Sequence, residues 1–159
     1  MLCAFLLLSS SEVWAQDTAS EAKSQRYVID INGAGDLRAL LNDNLDLARH
    51  RSDGDLSEDE VLRLVGAAPD QIRALLATEG YFSPTVTHEL DRKTTPWIAR
   101  FEVVPGPATT IESVDIVFTG ALSDGPNADE RRIAQLRRRW SLREGEVFRQ
   151  KAWDDAKGA

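Results

Sequence analysis

One segment of this sequence could bind a nucleotide, and it follows a predicted strand. GAGDLR, from Gly33 to Arg38, begins like the G-x-G-x-x-G loop that holds the phosphates of a dinucleotide. Arg38 stands where the third glycine is needed for close helix–strand packing, and no parallel βαβ pattern follows. We therefore reject a dinucleotide site.

A second segment resembles the start of a calcium-binding loop. In DGDLSEDE, Asp53, Asp55 and Ser57 fall at the first three ligand positions. Glu58 stands where the sharp turn needs glycine, and Leu64 stands where the bidentate glutamate belongs. We interpret the segment as a solvated helix start, because a glutamate three residues after Ser57 forms a capping box.

The other candidates for catalysis are isolated side chains. His50 and His88 lie in different predicted elements and outside any H-E-x-x-H pattern, which argues against zinc. The sequence has no G-x-S-x-G elbow, and no carboxylate stands in an apolar setting that would raise its pKa. We predict that the protein is not an enzyme and has no metal and no cofactor.

One basic run stands out from a chain of net charge −7. That overall charge argues against nucleic acid as a partner. The run RRIAQLRRRW flanks an apolar helical stripe, and two interpretations stay open: a solvated helix face, or a contact with anionic lipid headgroups or an acidic partner. The residues of this possible contact are Arg131, Arg132, Arg137, Arg138 and Arg139.

The first element that positions these segments is a strand. YVIDING places Tyr27, Ile29 and Ile31 on one face, and Gly33 ends it. A helix is predicted next, with Asp36 as N-cap and a set of apolar residues at helical spacing, namely Leu37, Leu40, Leu41 and Ala48.

Two further helices are predicted before the chain turns. One begins after Ser57, and a separate one carries Pro69 in its first turn and ends at Gly80, which suits the left-handed C′ position. Tyr81 and Phe82 follow, where apolar contacts onto the last helical turn are common.

Two alternating segments then predict an antiparallel hairpin. TVTHEL and WIARFEVV are separated by the turn-forming RKTTP. Val86, His88 and Leu90 share one face of the first strand, opposite Thr85, Thr87 and Glu89, and Ala99, Phe101 and Val103 share one face of the second. Helices on one face of a three-stranded sheet make an α+β layer.

The pattern then begins a second time. The alternating IESVDIVFTGAL, from Ile111 to Leu122, is a predicted strand, and its Gly120 corresponds to Gly33. A helix with Ile133, Leu136 and Trp140 on one stripe follows, and then a turn and the start of another helix. No second hairpin follows, so we expect a second module that lacks its last two strands and leaves its apolar face uncovered.

The N-terminus is typical of a secretory signal peptide. Its short apolar core and the small residues before Gln16 fit a cleavage site, and the only cysteine, Cys3, would leave with it. No basic residue precedes the core, so a buried N-terminal helix remains the alternative. The predicted domains are a signal peptide (1–15), a linker (16–25), a first module (26–105) and a partial second module (106–159).

The order strand–helices–strand–strand resembles a known family. GYFSPTV at the helix-to-hairpin junction and VVPGPATTIESVDIVFTG between the modules are similar to POTRA domains of the Omp85 superfamily. DLRALLNDNLDLARHR with APDQIRALLATEGYFSPTV resembles the first POTRA domain of the TamA type of autotransporter assembly factor.

The resemblance implies a periplasmic segment of an outer-membrane protein that assembles and inserts other outer-membrane proteins. It implies unfolded outer-membrane clients and a TamB-like inner-membrane-anchored subunit as partners, with membrane attachment only through a barrel that this chain lacks. A different class, a stand-alone secreted α+β module that binds a ligand or inhibits, is the alternative.

In POTRA domains the second strand is a free edge. An exposed edge offers unpaired N–H and C=O groups to which an extended polypeptide can add as a further strand. By resemblance the proposed polypeptide-binding edge is Thr85, Val86, Thr87, His88, Glu89 and Leu90. A merely solvated edge, blunted by His88 and Glu89, remains the other interpretation.

Overall fold

A computed structural model describes residues 25–120 and 129–158. The predicted signal peptide and almost all of the predicted linker lie outside these ranges. The described elements are β1 (Tyr27–Asn32), a 3₁₀ turn (Gly35–Leu37), α1 (Arg38–Asn44), α2 (Asp46–Arg49), α3 (Glu58–Thr78), β2 (Thr85–Asp91), β3 (Trp97–Val104), α4 (Glu130–Arg139) and α5 (Gln150–Lys157).

The strands of the first module form one mixed sheet in the order β1–β3–β2. β1 runs parallel to β3, with Ile31 opposite Phe101. β2 runs antiparallel to β3, with His88 opposite the same phenylalanine. The predicted α+β class, with helices on a three-stranded mixed sheet, is confirmed.

The alternation in the sequence places one face of the sheet in the core. Tyr27, Ile31, Phe101 and Val103 are almost completely buried, together with the helical residues that cover them. The covering layer of this cluster consists of Leu45, between α1 and α2, and of the helical residues Leu41, Leu47, Ala48, Val61, Leu64, Val65, Ala68, Ile72 and Leu76. Burying this apolar surface is the main favourable contribution to folding.

The structure differs from the first predicted helix in two respects. Asp36 is not its N-cap, because it lies within the 3₁₀ turn and Leu37 stands at the cap position without a side-chain bond. The helix is also divided at Leu45, whose extended backbone separates α1 from α2. The division is compatible with tight packing, since Leu45 and the neighbouring Leu47 are both fully buried.

The two predicted helices after Ser57 are one helix, α3, so the position predicted for Pro69 was wrong. Pro69 is buried in its interior rather than in a first turn. An interior proline removes a backbone hydrogen bond at a cost of about 3 kcal/mol. The buried stripe continues on both sides of Pro69, and each large apolar side chain in it contributes about 1.5–3 kcal/mol, which outweighs the break.

Both ends of α3 follow the predicted chemistry. The Ser57 hydroxyl accepts a bond from the Glu60 amide at 3.2 Å, while the Glu60 carboxylate pairs with Arg63 instead of closing the capping box. At the other end Gly80 has φ of 89°, and the Tyr81 amide donates to the Leu76 carbonyl at 3.0 Å. These bonds form a Schellman cap.

The second module is less regular than predicted. Its helices form as expected, but residues 111–119 are not paired in a sheet, so the strand predicted from Ile111 to Leu122 was wrong in its described part. A strand needs the backbone groups of a neighbouring strand, and the described chain supplies only an isolated bridge between Thr110 and Val147. No helix within residues 25–120 and 129–158 is long and apolar enough to cross a bilayer.

Tyr27 ties the sheet to α2 through a buried polar contact. Its hydroxyl donates to the Leu47 carbonyl at 2.6 Å. Burial, and secondarily the charge of Asp53, raises the pKa of Tyr27 to about 12. The folded state therefore holds this proton more tightly than the unfolded chain does, and the resulting stabilisation is present below about pH 10 and is lost as the pH rises towards about 12.

We expect Tyr27→Phe to lower the free energy of unfolding at pH 7 by about 1–2 kcal/mol, because the buried Leu47 carbonyl loses its donor. The difference between the wild type and the variant should shrink between about pH 10 and about pH 12. Urea titrations followed by circular dichroism at about pH 10 and about pH 12 measure this difference in the free energy of unfolding. A constant difference across this range would contradict the assignment.

Candidate functional site

Strand β2 lies at an open edge of the sheet. It pairs with β3 on one side, from Thr85 opposite Val104 to Asp91 opposite Ile98, and no strand of the described residues lies on its other side. Alternate N–H and C=O groups of such a strand point away from the sheet. All six predicted edge residues, 85–90, lie in β2.

The side chains of β2 leave this edge accessible. Val86 is buried and Leu90 half-buried beneath the helices, whereas Thr85, Thr87 and Glu89 are exposed on the opposite face. Within residues 25–120 and 129–158, no group of three or more His, Cys, Asp or Glu side chains could hold a metal ion. What β2 offers is therefore main-chain hydrogen bonding along an extended strand.

The two residues considered as edge blockers both contact β3. The His88 ring stacks on Phe101 with centroids 6.1 Å apart. The Glu89 carboxylate lies 4.0 Å from Arg100, which also pairs with Asp30 of β1 at 3.3 Å. The exposed ion pairs contribute little to stability. The ring contact of His88 and the ion pair of Glu89 nevertheless place both side chains across the sheet towards β3.

One residue of α3 reaches the backbone of β2. A guanidinium nitrogen of Arg73 lies 3.5 Å from the Val86 carbonyl oxygen, a long hydrogen bond, and the same side chain pairs with Asp70 at 2.7 Å. This contact covers one carbonyl at the N-terminal end of β2. The segment from Thr87 to Asp91 has no such contact from the helices among the described residues.

The five predicted arginines all lie on α4, exposed, at a distance in sequence from β2. None takes part in a salt bridge within the part of the chain that the structure describes. Arg137 stands over the Phe118 ring at 5.6 Å, and Arg131, Arg132 and Arg139 border a shallow depression of about 420 Å³. Three of the five fall in the last turn, where positive charge is favourable to the helix dipole.

Sequence reasoning missed a contact between the two modules at Gly80. The Thr109 amide donates to the Gly80 carbonyl at 2.9 Å, and the Phe148 amide donates to the Thr109 carbonyl at 2.8 Å. A Cβ atom at Gly80 would lie 2.4 Å from the Phe148 carbonyl oxygen. Glycine is therefore required at position 80 for two reasons: a side chain would collide with the Phe148 carbonyl, and the backbone φ is positive.

Side chains reinforce this junction. The rings of Phe82 and Phe148 lie 5.6 Å apart, and Arg149 pairs with Glu79 at 3.5 Å. The sequence signal for this junction was Phe82, the second aromatic residue after the helix cap. Its side chain is 54% exposed, so packing in the core of the first module does not account for it.

These features define a small α+β module with an open sheet edge at β2. A family model described as POTRA domain, TamA domain 1, matches residues 28–105, almost the whole of the first module. Residues 28–105 thus form a POTRA domain of the TamA type, as the sequence resemblance implied. No curated protein matches the chain. Family membership indicates a role in outer-membrane protein assembly.

We expect Gly80→Ala to destabilise the protein by about 1–3 kcal/mol, because the new methyl group meets a backbone oxygen and the left-handed conformation is strained. Gly80→Asn tolerates that conformation but still carries a Cβ, so it isolates the contact with Phe148. Urea unfolding and limited proteolysis near residue 148 provide the measurements.

Gly66→Ala is the matched control, since it lies within α3 and, apart from its chain neighbours and the backbone of its own helix, no atom of the described residues lies within 4 Å of an added Cβ. It should be neutral or stabilising by up to about 1 kcal/mol. Wild-type stability and protease resistance in Gly80→Asn would show that the junction does not depend on this close approach.

Proposed function

We propose that the chain is the periplasmic POTRA segment of a factor that assembles and inserts outer-membrane proteins, including autotransporters. In this proposal β2 binds unfolded clients, or a TamB-like inner-membrane-anchored subunit, as an added strand. The observation that carries it is the position of β2 at the rim of the sheet, where no helix among the described residues forms a hydrogen bond to the backbone from Thr87 to Asp91. The family match over residues 28–105 supports the cellular role.

Strand addition suits a binding site for many different clients. Main-chain hydrogen bonds form with any extended sequence, so they provide affinity without strict selection of side chains. Within β2 only Val86 is buried, and the side chains of Thr85, Thr87, His88 and Glu89 are exposed. A client would therefore be recognised mainly by its extended backbone.

Paired proline substitutions test this role. Successive N–H groups of a strand point to opposite sides, so one of Thr87→Pro and His88→Pro removes an N–H from the ladder with β3 and the other removes one from the open edge. The variant that lacks an N–H at the open edge is the one that keeps the wild-type melting temperature, because its ladder with β3 is intact. We expect it to weaken client binding by about tenfold, which corresponds to about 1.4 kcal/mol.

The measurement is crosslinking from a photoreactive residue at Glu89 to unfolded outer-membrane polypeptide in the periplasm. A photoreactive residue at Asp59, exposed on the first turn of α3, is the control position. Equal capture at both positions, or unchanged capture in the folded edge-proline variant, would refute strand addition at β2.

For the arginine face of α4 we propose a contact with an anionic partner. Its support is that the five exposed guanidinium groups have no carboxylate partner among the described residues, whereas Arg63 and Arg73 pair with carboxylates on their own helix. Forked hydrogen bonds suit phosphate and carboxylate groups equally well.

We expect replacement of Arg131, Arg132 and Arg138 by glutamine to reduce binding to vesicles that contain anionic phospholipid, or to an acidic peptide, by about threefold to tenfold in low salt. Arg63→Gln is the control. Co-sedimentation with anionic and neutral vesicles tests the lipid, and a titration with the acidic peptide tests the peptide. Unchanged binding to both probes would contradict the anionic contact and favour the interpretation of α4 as a solvated helix face.

A further inference from the structure

The hydrogen bonds of β3 show which residues of β2 pair with it. The Trp97 amide donates to the Arg26 carbonyl at 2.9 Å, so the backbone groups of Trp97 point towards β1. Successive residues of a strand direct their N–H and C=O groups to opposite sides, and Ile98 therefore bonds towards β2. The register places Ile98 opposite Asp91. The residues of β2 that bond to β3 are therefore Thr85, Thr87, Glu89 and Asp91.

The backbone groups at the open edge belong to the alternate residues Val86, His88 and Leu90. A contact from α3 agrees with this assignment, because a guanidinium nitrogen of Arg73 lies 3.5 Å from the Val86 carbonyl oxygen. A carbonyl in the ladder lies within the sheet and accepts from β3, whereas the Arg73 side chain is 45% exposed and reaches the rim. Two separate contacts thus give the same result, so His88→Pro is the substitution that removes an N–H from the open edge.

The same three residues direct their side chains towards the helix face of the sheet. Val86 is buried and Leu90 is half-buried against the core, and the His88 ring stacks on Phe101. Residues directly opposite each other on neighbouring strands have their side chains on the same face. A residue added opposite Val86 would therefore direct its side chain to the helix face, beside Arg73.

Arg73 can exchange its present contacts for new ones. Its bond to the Val86 carbonyl is at the long limit for a hydrogen bond, and an N–H of an added strand would replace it at a usual distance of about 2.9 Å. Its other partner, Asp70, has a side chain that is 87% exposed, and such surface pairs contribute little to stability. These two contacts leave most of the N–H donors of the guanidinium unused.

The charge beside the open edge differs between the two faces of the sheet. On the outer face Glu89 and Glu102 are exposed, and the neighbouring Arg100 already pairs with Glu89. On the helix face Arg73 reaches the backbone of β2. An acidic side chain of an added strand is therefore favoured on the helix face opposite Val86 and disfavoured on the outer face.

We propose that Arg73 makes the β2 edge selective for a strand that carries an aspartate or glutamate at the residue paired with Val86. The carboxylate of that residue accepts hydrogen bonds from the guanidinium on the helix face, while an N–H of the strand takes over the Val86 carbonyl. Arg73 is thus a specificity-determining residue. The inference rests on the proposed function of β2, to which it adds a side-chain preference at one position.

The test uses the full chain and two isomeric peptides. Both peptides contain residues 97–106 with blocked ends, because β3 pairs antiparallel with β2 and places Val103 opposite Val86. One peptide carries Val103→Glu, at a residue that faces the helices, and the other carries Val104→Glu, at a residue that is exposed on the outer face. The two peptides have the same composition and charge, so they differ only in the face to which the carboxylate points.

We expect the peptide with Val103→Glu to bind about threefold to fivefold more tightly than its isomer in low salt, as measured by calorimetry. Bound peptide should slow amide hydrogen exchange at the edge residues Val86, His88 and Leu90. Arg73→Gln in the protein should remove the preference between the peptides, and Asp70→Asn should increase it by releasing Arg73 from its present partner. Arg63→Gln is the matched control, because Arg63 pairs with Glu60 on the same helix.

The outcomes separate this inference from the proposed function. Equal binding of the two peptides, with slowed exchange at the edge, would overturn the role of Arg73 and leave strand addition intact. A preference that persists in Arg73→Gln would also overturn it, because the carboxylate would then be recognised by another group. Absence of binding by both peptides at millimolar concentration would refute strand addition at β2 and, with it, the selectivity.

Discussion

The structure depends on the pairing of β3 along both of its edges. β1 pairs with it in parallel and β2 in antiparallel orientation, while Ala99, Phe101 and Val103 bury its inner face beneath the helices. Because the last strand of the first module occupies the centre of the sheet, its hairpin neighbour is left at the rim. The open edge is thus a consequence of strand order and needs no special side chain on β2.

A single glycine couples this sheet to the second module. Gly80 ends α3 in a left-handed conformation, aims the chain into β2, and lies against the backbone of Phe148. The helix cap, the start of the hairpin and the junction between modules therefore share one position. The Pro–Gly–Pro segment, residues 105–107, joins the two modules. Hydrogen bonds at Thr109 and the ring contact of Phe82 with Phe148 connect the modules beside this segment, so they meet through several contacts.

The two modules show the same sequence pattern with and without its pairing partner. β1 and the run 111–118 both alternate and both end at a glycine of equal φ, but only β1 is a strand. Alternation sets which side chains share a face, whereas strand formation requires backbone groups supplied from elsewhere. This difference explains why the second predicted strand was wrong while the helices beside it formed as expected.

Local patterns were sufficient for much of the first module. Alternation identified β1, β2 and β3 and their inner faces, and the cap chemistry of Ser57 and Gly80 located both ends of α3, because these signals act within a few residues. Tertiary packing decided the rest. It carried α3 through Pro69, divided the preceding helix at Leu45, and brought Phe148 against Gly80, since each outcome depends on burial or contact with residues distant in sequence.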